Sequence, residues 1–189
     1  MTDFSVKMVN ENLLENAFVT ELQSKGYNYL YGPDIERDYH EVILKQYFHE
    51  ALMHINHGIT EEILEESYRT IKNLGLLKLE DMNAAFHKYL IEGVPISYRL
   101  NGEPATYTVK LVDFDHPLEN DFKVVNQYTV IEYKNKRPDI VVFINGIPMV
   151  LFELKNMVNE DTTIENAYKQ VKNYQLDIPS LFCYNAFNV

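Results

Sequence analysis

At 189 residues, 46% of them hydrophobic and with 14 Tyr and 10 Phe, the chain can bury a real core and is not a disordered segment. No run of about 18 apolar residues is present to span a membrane, and the start MTDFSVKMVNE lacks the apolar stretch of a signal peptide. A net charge of −11 argues against a protein that coats nucleic acid non-specifically, because phosphate binding needs clustered Lys and Arg.

The first half reads as helix. In ENLLENAFVTELQSKG the residues Leu14, Ala17, Phe18 and Leu22 fall on one stripe, and Gly26 ends the segment. DYHEVILKQYFHEALMHIN repeats apolar Ile43, Leu44, Tyr47, Phe48, Ala51, Leu52 and Ile55 at helical period. TEEILEESYRTIKNLG opens on Thr60 as N-cap and closes at Gly75, and EDMNAAFHKYLIEG predicts a fourth helix stopped by Gly93. From VPISYRL onward the texture is that of strands, expected over 94–100, 105–114, about 122–133, 138–144 and 147–155, with NGEP as the first turn. TTIENAYKQVKNYQ returns to helix with Thr162 or Thr163 as cap, and SLFCYNAF predicts a last strand. A strand regained after a crossover helix lies parallel to its neighbour, so the expected fold is α/β (α+β): a mixed central sheet flanked by helices, with 10–92 mainly helical and 94–189 carrying the sheet of one domain.

Several familiar chemistries are missing. No Gly-rich phosphate loop of the G-x-x-x-x-G-K-[ST] or G-x-G-x-x-G kind occurs, and the six His show no zinc spacing; His54 and His57 read as a solvated helix end. EEILEE reads as a solvated helix face. Cys183 stands alone, which excludes an internal disulfide and suits a reducing cytoplasm.

The informative stretch is RPDIVVFINGIPMVLFELKN, residues 137–156, where an aspartate, a glutamate and a lysine interrupt what looks like a buried hairpin. Glu153 and Lys155 are two apart and share a face. Asp139 joins them or not according to the turn. A two-residue Asn145-Gly146 loop pairs Asp139 with Phe152 and sets it on the other face of the sheet from Glu153, whereas a three-residue loop with Gly146 left-handed brings the carboxylates onto one face. The three-residue loop is the expectation. Two carboxylates and an ammonium converging there suit a hard divalent cation such as Mg²⁺ and phosphodiester hydrolysis; the competing reading is an internal salt bridge. The charge is also uneven: residues 1–120 hold 10 basic and 20 acidic side chains, whereas 121–175 hold 7 of each, so the hairpin segment repels a polyanion least. Gln170 and Tyr174 in QVKNY stack at i, i+4, and Glu15 borders the buried stripe of the first helix.

RPD…ELK followed by QVKNY resembles the PD-(D/E)xK nuclease superfamily, in the variant with a QxxxY helix. It is most similar to the N-terminal endonuclease domain of the R (restriction, or motor) subunit of type I restriction-modification enzymes. The likeness extends through LLENAFVTELQSKGYNYLYG, HINHG, LVDFDHPLENDFKVVNQYTV, AYKQVKNY and IPSLFCYNAFNV, in the expected order over nearly the whole chain. The resemblance implies that Asp139 and Glu153 are the metal-binding acids and Lys155 the catalytic lysine. It further implies that Gln170 and Tyr174 help position DNA or that lysine, and that Glu15 is the first-helix acid on the metal side. It implies Mg²⁺ (Mn²⁺ as substitute) as cofactor and double-stranded DNA as substrate. Methyltransferase (M) and specificity (S) subunits are the implied partners, with ATP used only by a motor this chain lacks, since no Walker motif is present. Asn120, Asn126 and Gln127 of NDFKVVNQ are expected at most to brace the site. The readings set beside an endonuclease domain are a non-catalytic docking or gating module of the same complex, suggested by the acidic helical half, and a stand-alone PD-(D/E)xK nuclease.

Overall fold

The computed structural model of the chain describes residues 2–154 and 164–189. In chain order the elements are α1 (Thr2–Ser24), β1 (Asn28–Tyr31), a 3-10 turn (Gly32–Asp34), α2 (Lys45–Ile55), α3 (Glu61–Lys72), α4 (Leu79–Glu92), β2 (Val94–Leu100) and β3 (Glu103–Val109). A second 3-10 turn (Pro117–Glu119) leads to β4 (Phe122–Asn126), β5 (Val130–Ile131), β6 (Asn135–Lys136), β7 (Ile140–Ile144), β8 (Ile147–Phe152), α5 (Ile164–Asp177), α6 (Pro179–Phe182) and β9 (Phe187–Asn188). The fold is α+β with a mixed five-stranded sheet, order β1-β4-β7-β8-β9, in which β1 runs parallel to β4 and β9 parallel to β8.

Two compact units form, and neither is continuous in sequence. One comprises Met1–Val42, Phe122–Phe143 and Pro148–Val189; the other comprises Ile43–Asp121 and Ile144–Ile147. The first holds the sheet. Helix α1 covers it by burying Val19 against Val124 and Ile140, with Phe18, Leu22, Tyr27, Phe152 and Leu154 packed around them. The Phe18 and Phe152 rings approach to 4.4 Å. The buried stripe of α1 is turned by one residue from the expected one: Ala17 and Leu14 are exposed, and Glu15 takes a place inside. A carboxylate can sit there only because its oxygens are met, as described below.

The second unit is helical with a two-stranded hairpin. Thr60 caps α3 as expected, its hydroxyl accepting from the Ile63 N–H at 3.4 Å, with Glu61 and Glu62 in the first turn and Arg69 and Lys72 in the last, each sign favoured at its helix end. Phe48, Leu52, Leu64, Ile71 and Phe86 are buried. Asn145 is fully buried: its amide donates to Leu111 O and Asn120 Oδ1, both at 2.8 Å, and its Oδ1 accepts from the Asp121 N–H at 2.8 Å. Asn120 therefore braces a loop of this unit.

Some expectations fail for identifiable reasons. The helix expected from residue 38 starts at Lys45; Val42, Ile43 and Leu44 are buried but extended into a loop, where Leu44 N–H donates to Gly146 O at 2.9 Å. β1 was not foreseen, because NYLY is mostly exposed and carries no alternation. The long strand expected over 122–133 breaks at Gln127, whose φ is +56°. In SLFCYNAF, Pro179 at the first helical position starts a single helical turn, and strand is confined to Phe187–Asn188. The strand does return parallel after the helix, as the crossover rule requires. The Thr162 or Thr163 cap lies outside the described residues.

Candidate active site

The turn between β7 and β8 is Asn145-Gly146 alone, with φ of +51° and +74°. Two left-handed central residues make the two-residue hairpin turn whose twist matches the strands, so the three-residue loop is not formed. Strict alternation from this turn would set Asp139 and Glu153 on different faces of the sheet. The ladder stops at Ile140 and Phe152, however, and both carboxylates lie one residue past it. There the main chain is held by other bonds. Asp139 Oδ2 accepts from the Leu154 N–H at 2.7 Å, and the Glu153 N–H donates to Val189 O at 2.9 Å.

Glu153 meets the motif helix, and the charge of Asp139 is felt there. Tyr174 on α5 is buried, and its hydroxyl accepts from Gln170 Nε2 at 2.8 Å and hydrogen-bonds Glu153, itself buried at 5% exposure. Burial pushes the Tyr174 hydroxyl well above the ordinary tyrosine value. The negative charge of Glu153 adds to this, the Gln170 bond opposes it, and Asp139 contributes a further push upward. The phenol therefore keeps its proton and donates it to Glu153, completing a relay of hydrogen bonds from Gln170 through Tyr174 to the carboxylate. The i, i+4 spacing of Gln and Tyr is what lets one helix face supply both members.

Glu15 is placed differently. Its Oε1 and Oε2 accept from Gln127 Nε2 at 3.0 and 2.9 Å, and Oε2 also accepts from Asn126 Nδ2 at 3.3 Å. Asn126 Oδ1 in turn accepts from the Tyr29 hydroxyl at 2.9 Å. Burial raises the Tyr29 pKa, with Tyr31, Asp34 and Glu15 adding to it, so this hydroxyl too stays a donor. The group that Asn126 and Gln127 hold is thus Glu15. Sequence reasoning missed Gln127 as a backbone feature; its only signal was a polar Asn-Gln pair directly after Val124 and Val125.

Lys155 lies outside the described residues. Among the described residues no group of three His, Cys, Asp or Glu side chains gathers closely enough to hold a metal ion. A pair of carboxylates suffices for Mg²⁺, which keeps several waters and takes one or two protein carboxylates plus substrate phosphate. The hard oxygens of Asp139 and Glu153 fit that donor set. An ionised carboxylate has about four acceptor sites, so the bond from Leu154 orients Asp139 without exhausting it.

The sequence profile of the family described as "Type I restriction enzyme R protein N terminus" matches residues 8–189. The chain belongs to that family. Over 190 residues it is 35% identical to the putative type I restriction enzyme MjaIXP endonuclease subunit of Methanocaldococcus jannaschii, covering 95% of this chain and 18% of that protein. Over 188 residues it is 34% identical to the type I restriction enzyme HindI endonuclease subunit of Haemophilus influenzae, covering 94% and 18%. A Staphylococcus aureus relative, the SauMSSORF170P endonuclease subunit, is 26% identical over 168 residues, covering 88% of this chain and 16% of that protein. The chain thus spans less than a fifth of the length of these family members. Among the described residues no helix is long and apolar enough to cross a membrane.

Proposed function

We propose that this chain is the Mg²⁺-dependent, sequence-non-specific DNA endonuclease domain of a type I restriction enzyme R subunit. The strongest support is the hydrogen-bond relay from Gln170 through Tyr174 to Glu153, with the charge of Asp139 also acting on Tyr174, within a family whose relatives are named endonuclease subunits. Asp139 and Glu153 hold the cation, and Tyr174 fixes the rotamer of Glu153 so that its outer oxygens stay aimed at it. When bound, the cation lowers the pKa of a water and offsets charge on the phosphorus under attack. Lys155, two residues beyond Glu153 in sequence, orients the attacking water or neutralises the oxygens as charge builds. Gln170 holds the Tyr174 hydroxyl and with it the line of approach for the DNA strand.

In the whole protein this domain cuts double-stranded DNA after an ATP-driven motor has moved it, in the cytoplasm, with methyltransferase and specificity subunits selecting the site. The test is made in the complete enzyme. Asp139→Ala, Glu153→Ala and Lys155→Ala should each abolish cutting while ATP-driven translocation continues. Cutting that persists in any one of them removes that residue from the machinery; cutting that persists in all three leaves the domain as a docking or gating module.

A further inference from the structure

An αL backbone is open to Gly without strain but is uncommon for a residue that carries a Cβ. Gln127 holds φ +56° directly after β4, where Gly would be the undemanding choice, so its side chain must supply something that Gly cannot. What it supplies is a two-point contact with the buried Glu15 carboxylate, at 3.0 and 2.9 Å. The same residue's main-chain N–H donates to the Asp139 carbonyl at 3.1 Å. On its other side, the bare Cα of Gly32 lets the chain pass so closely that an added Cβ would stand 2.6 Å from Gln127 O and 2.7 Å from Asn126 O. Residue 127 is thus tied at its amide and its side chain, with Gly32 packed closely against its carbonyl.

We propose that Glu15 is a positioning residue and not a metal ligand: it clamps Gln127 in the left-handed conformation, and Gln127 N–H sets the main chain of Asp139 and with it the place of its carboxylate. This rests on the reading of Asp139 and Glu153 as the cation site. Both Glu15 oxygens already accept amide protons, a use that fits a brace better than a ligand, since a cation would have to displace donors from a buried carboxylate. The chain Glu15–Gln127–Asp139 is the outer-shell support that metal ligands generally need to keep their orientation.

The test uses the 189-residue chain, with Mn²⁺ titrated and followed by electron paramagnetic resonance and thermal unfolding run alongside. Glu15→Ala and Gln127→Ala should each weaken Mn²⁺ binding roughly 10- to 100-fold, the range for loss of an outer-shell partner. The double variant should be no weaker than the worse single one, because both act through one link. Gln127→Gly should bind more tightly than Gln127→Ala, since Gly takes a positive φ without strain. If Glu15→Ala does not fold, Glu15→Gln replaces it. Hydrogen exchange at the Gln127 amide supplies a readout free of metal and should quicken at least about tenfold when Glu15 is changed.

Unchanged Mn²⁺ affinity in both single variants, with binding lost in Asp139→Ala, overturns the inference and leaves the cation site standing. A loss in Glu15→Ala that Gln127→Ala does not share, additive in the double variant, makes Glu15 a direct ligand and overturns it as well. No saturable Mn²⁺ binding by the unaltered chain, or binding indifferent to Asp139→Ala, brings down the cation site and the inference together.

Discussion

The Tyr174 hydroxyl is a small group with two dependents. Removing it in Tyr174→Phe leaves the Gln170 amide and the buried Glu153 carboxylate each short of a bond. A buried polar group deprived of its partner costs about 1–3 kcal/mol, and more where it is charged. Tyr174→Phe should therefore lower the urea midpoint at pH 7 by the equivalent of about 1–3 kcal/mol, with an unchanged slope against urea. The alkaline limb tests the same residue. In the folded chain burial raises the Tyr174 pKa, so above about pH 10 the unfolded tyrosine loses its proton while the folded one keeps it, and stability falls as pH rises. That stability is fully present below pH 10; in Tyr174→Phe the fall between pH 9.5 and 11 should be shallower, measured by urea unfolding at each pH. Gly32 makes the opposite kind of demand, for empty space. Gly32→Ala would press a methyl onto two carbonyl oxygens of fixed backbone, and overpacking of that sort costs about 1–3 kcal/mol, read as a lowered Tm. Residues of these two kinds differ in how visible they are in sequence. Gln170 and Tyr174 declare themselves by spacing, whereas the need for a glycine at 32 arises from residues 126 and 127, almost a hundred positions away.

At the scale of elements, the short β5–β6 ribbon is tied to the end of α5 through Asp177. Lys134 Nζ lies 2.9 Å and Lys136 Nζ 3.1 Å from its carboxylate, and the Tyr133 and Lys134 N–H groups donate to its carbonyl at 3.1 and 3.3 Å. Glu132 adds bonds to the Ser180 N–H and hydroxyl at 3.0 and 2.8 Å. The Lys134 hydrogen bond, joined by that from Lys136, holds the Asp177 carboxyl below the usual aspartate value against some opposition from burial. A depressed carboxylate stabilises the fold above its unfolded pKa of about 4 and loses that contribution as pH falls through the folded value. Asp177→Asn should accordingly reduce stability at pH 7 and flatten the acid limb below about pH 4, followed by thermal unfolding from pH 7 to 3. The hairpin that carries the acids shows what was legible at this scale. Asn-Gly between two apolar runs gave away the hairpin, and strand β8, helix α5 and the parallel return of β9 followed from pattern and the crossover rule. The three-residue loop expected to bring Asp139 and Glu153 to one face does not form, because Asn145 and Gly146 alone make the turn. Strand ends are freed from the pleat, and long-range bonds to Leu154, Val189 and Gln127 place the two carboxylates instead. The turn of the α1 stripe that admits Glu15 had the same origin, because a buried carboxylate is unreadable until its distant amide partners are known.

The whole molecule carries a net charge of −11, yet its proposed substrate is a polyanion. Non-specific affinity for duplex DNA grows with the number of phosphates neutralised, and a domain without a basic stripe gains little from that source. The segment 121–175 is the exception, with 7 basic and 7 acidic side chains against 10 and 20 in residues 1–120. Within it Lys134 and Lys136 are already engaged by Asp177, while Arg137 is exposed two residues before Asp139. On the proposed function, DNA held for cutting should lie over this segment. By fluorescence anisotropy, the 189-residue chain should bind a short duplex no more tightly than about 10⁻⁴ M at physiological salt, the weak end for non-specific contacts. At low salt a measurable affinity should appear, and its logarithm should fall linearly with the logarithm of salt concentration. Arg137→Glu should weaken it several-fold and reduce the slope by about one to two phosphates, whereas Arg69→Glu, on α3 in the helical unit, should leave both unchanged. Binding tighter than about 10⁻⁶ M at physiological salt would mean that charge does not set this domain's dependence on its partners. Equal losses from both arginine variants would instead show that DNA is repelled by the total charge and is not guided by the segment beside Asp139.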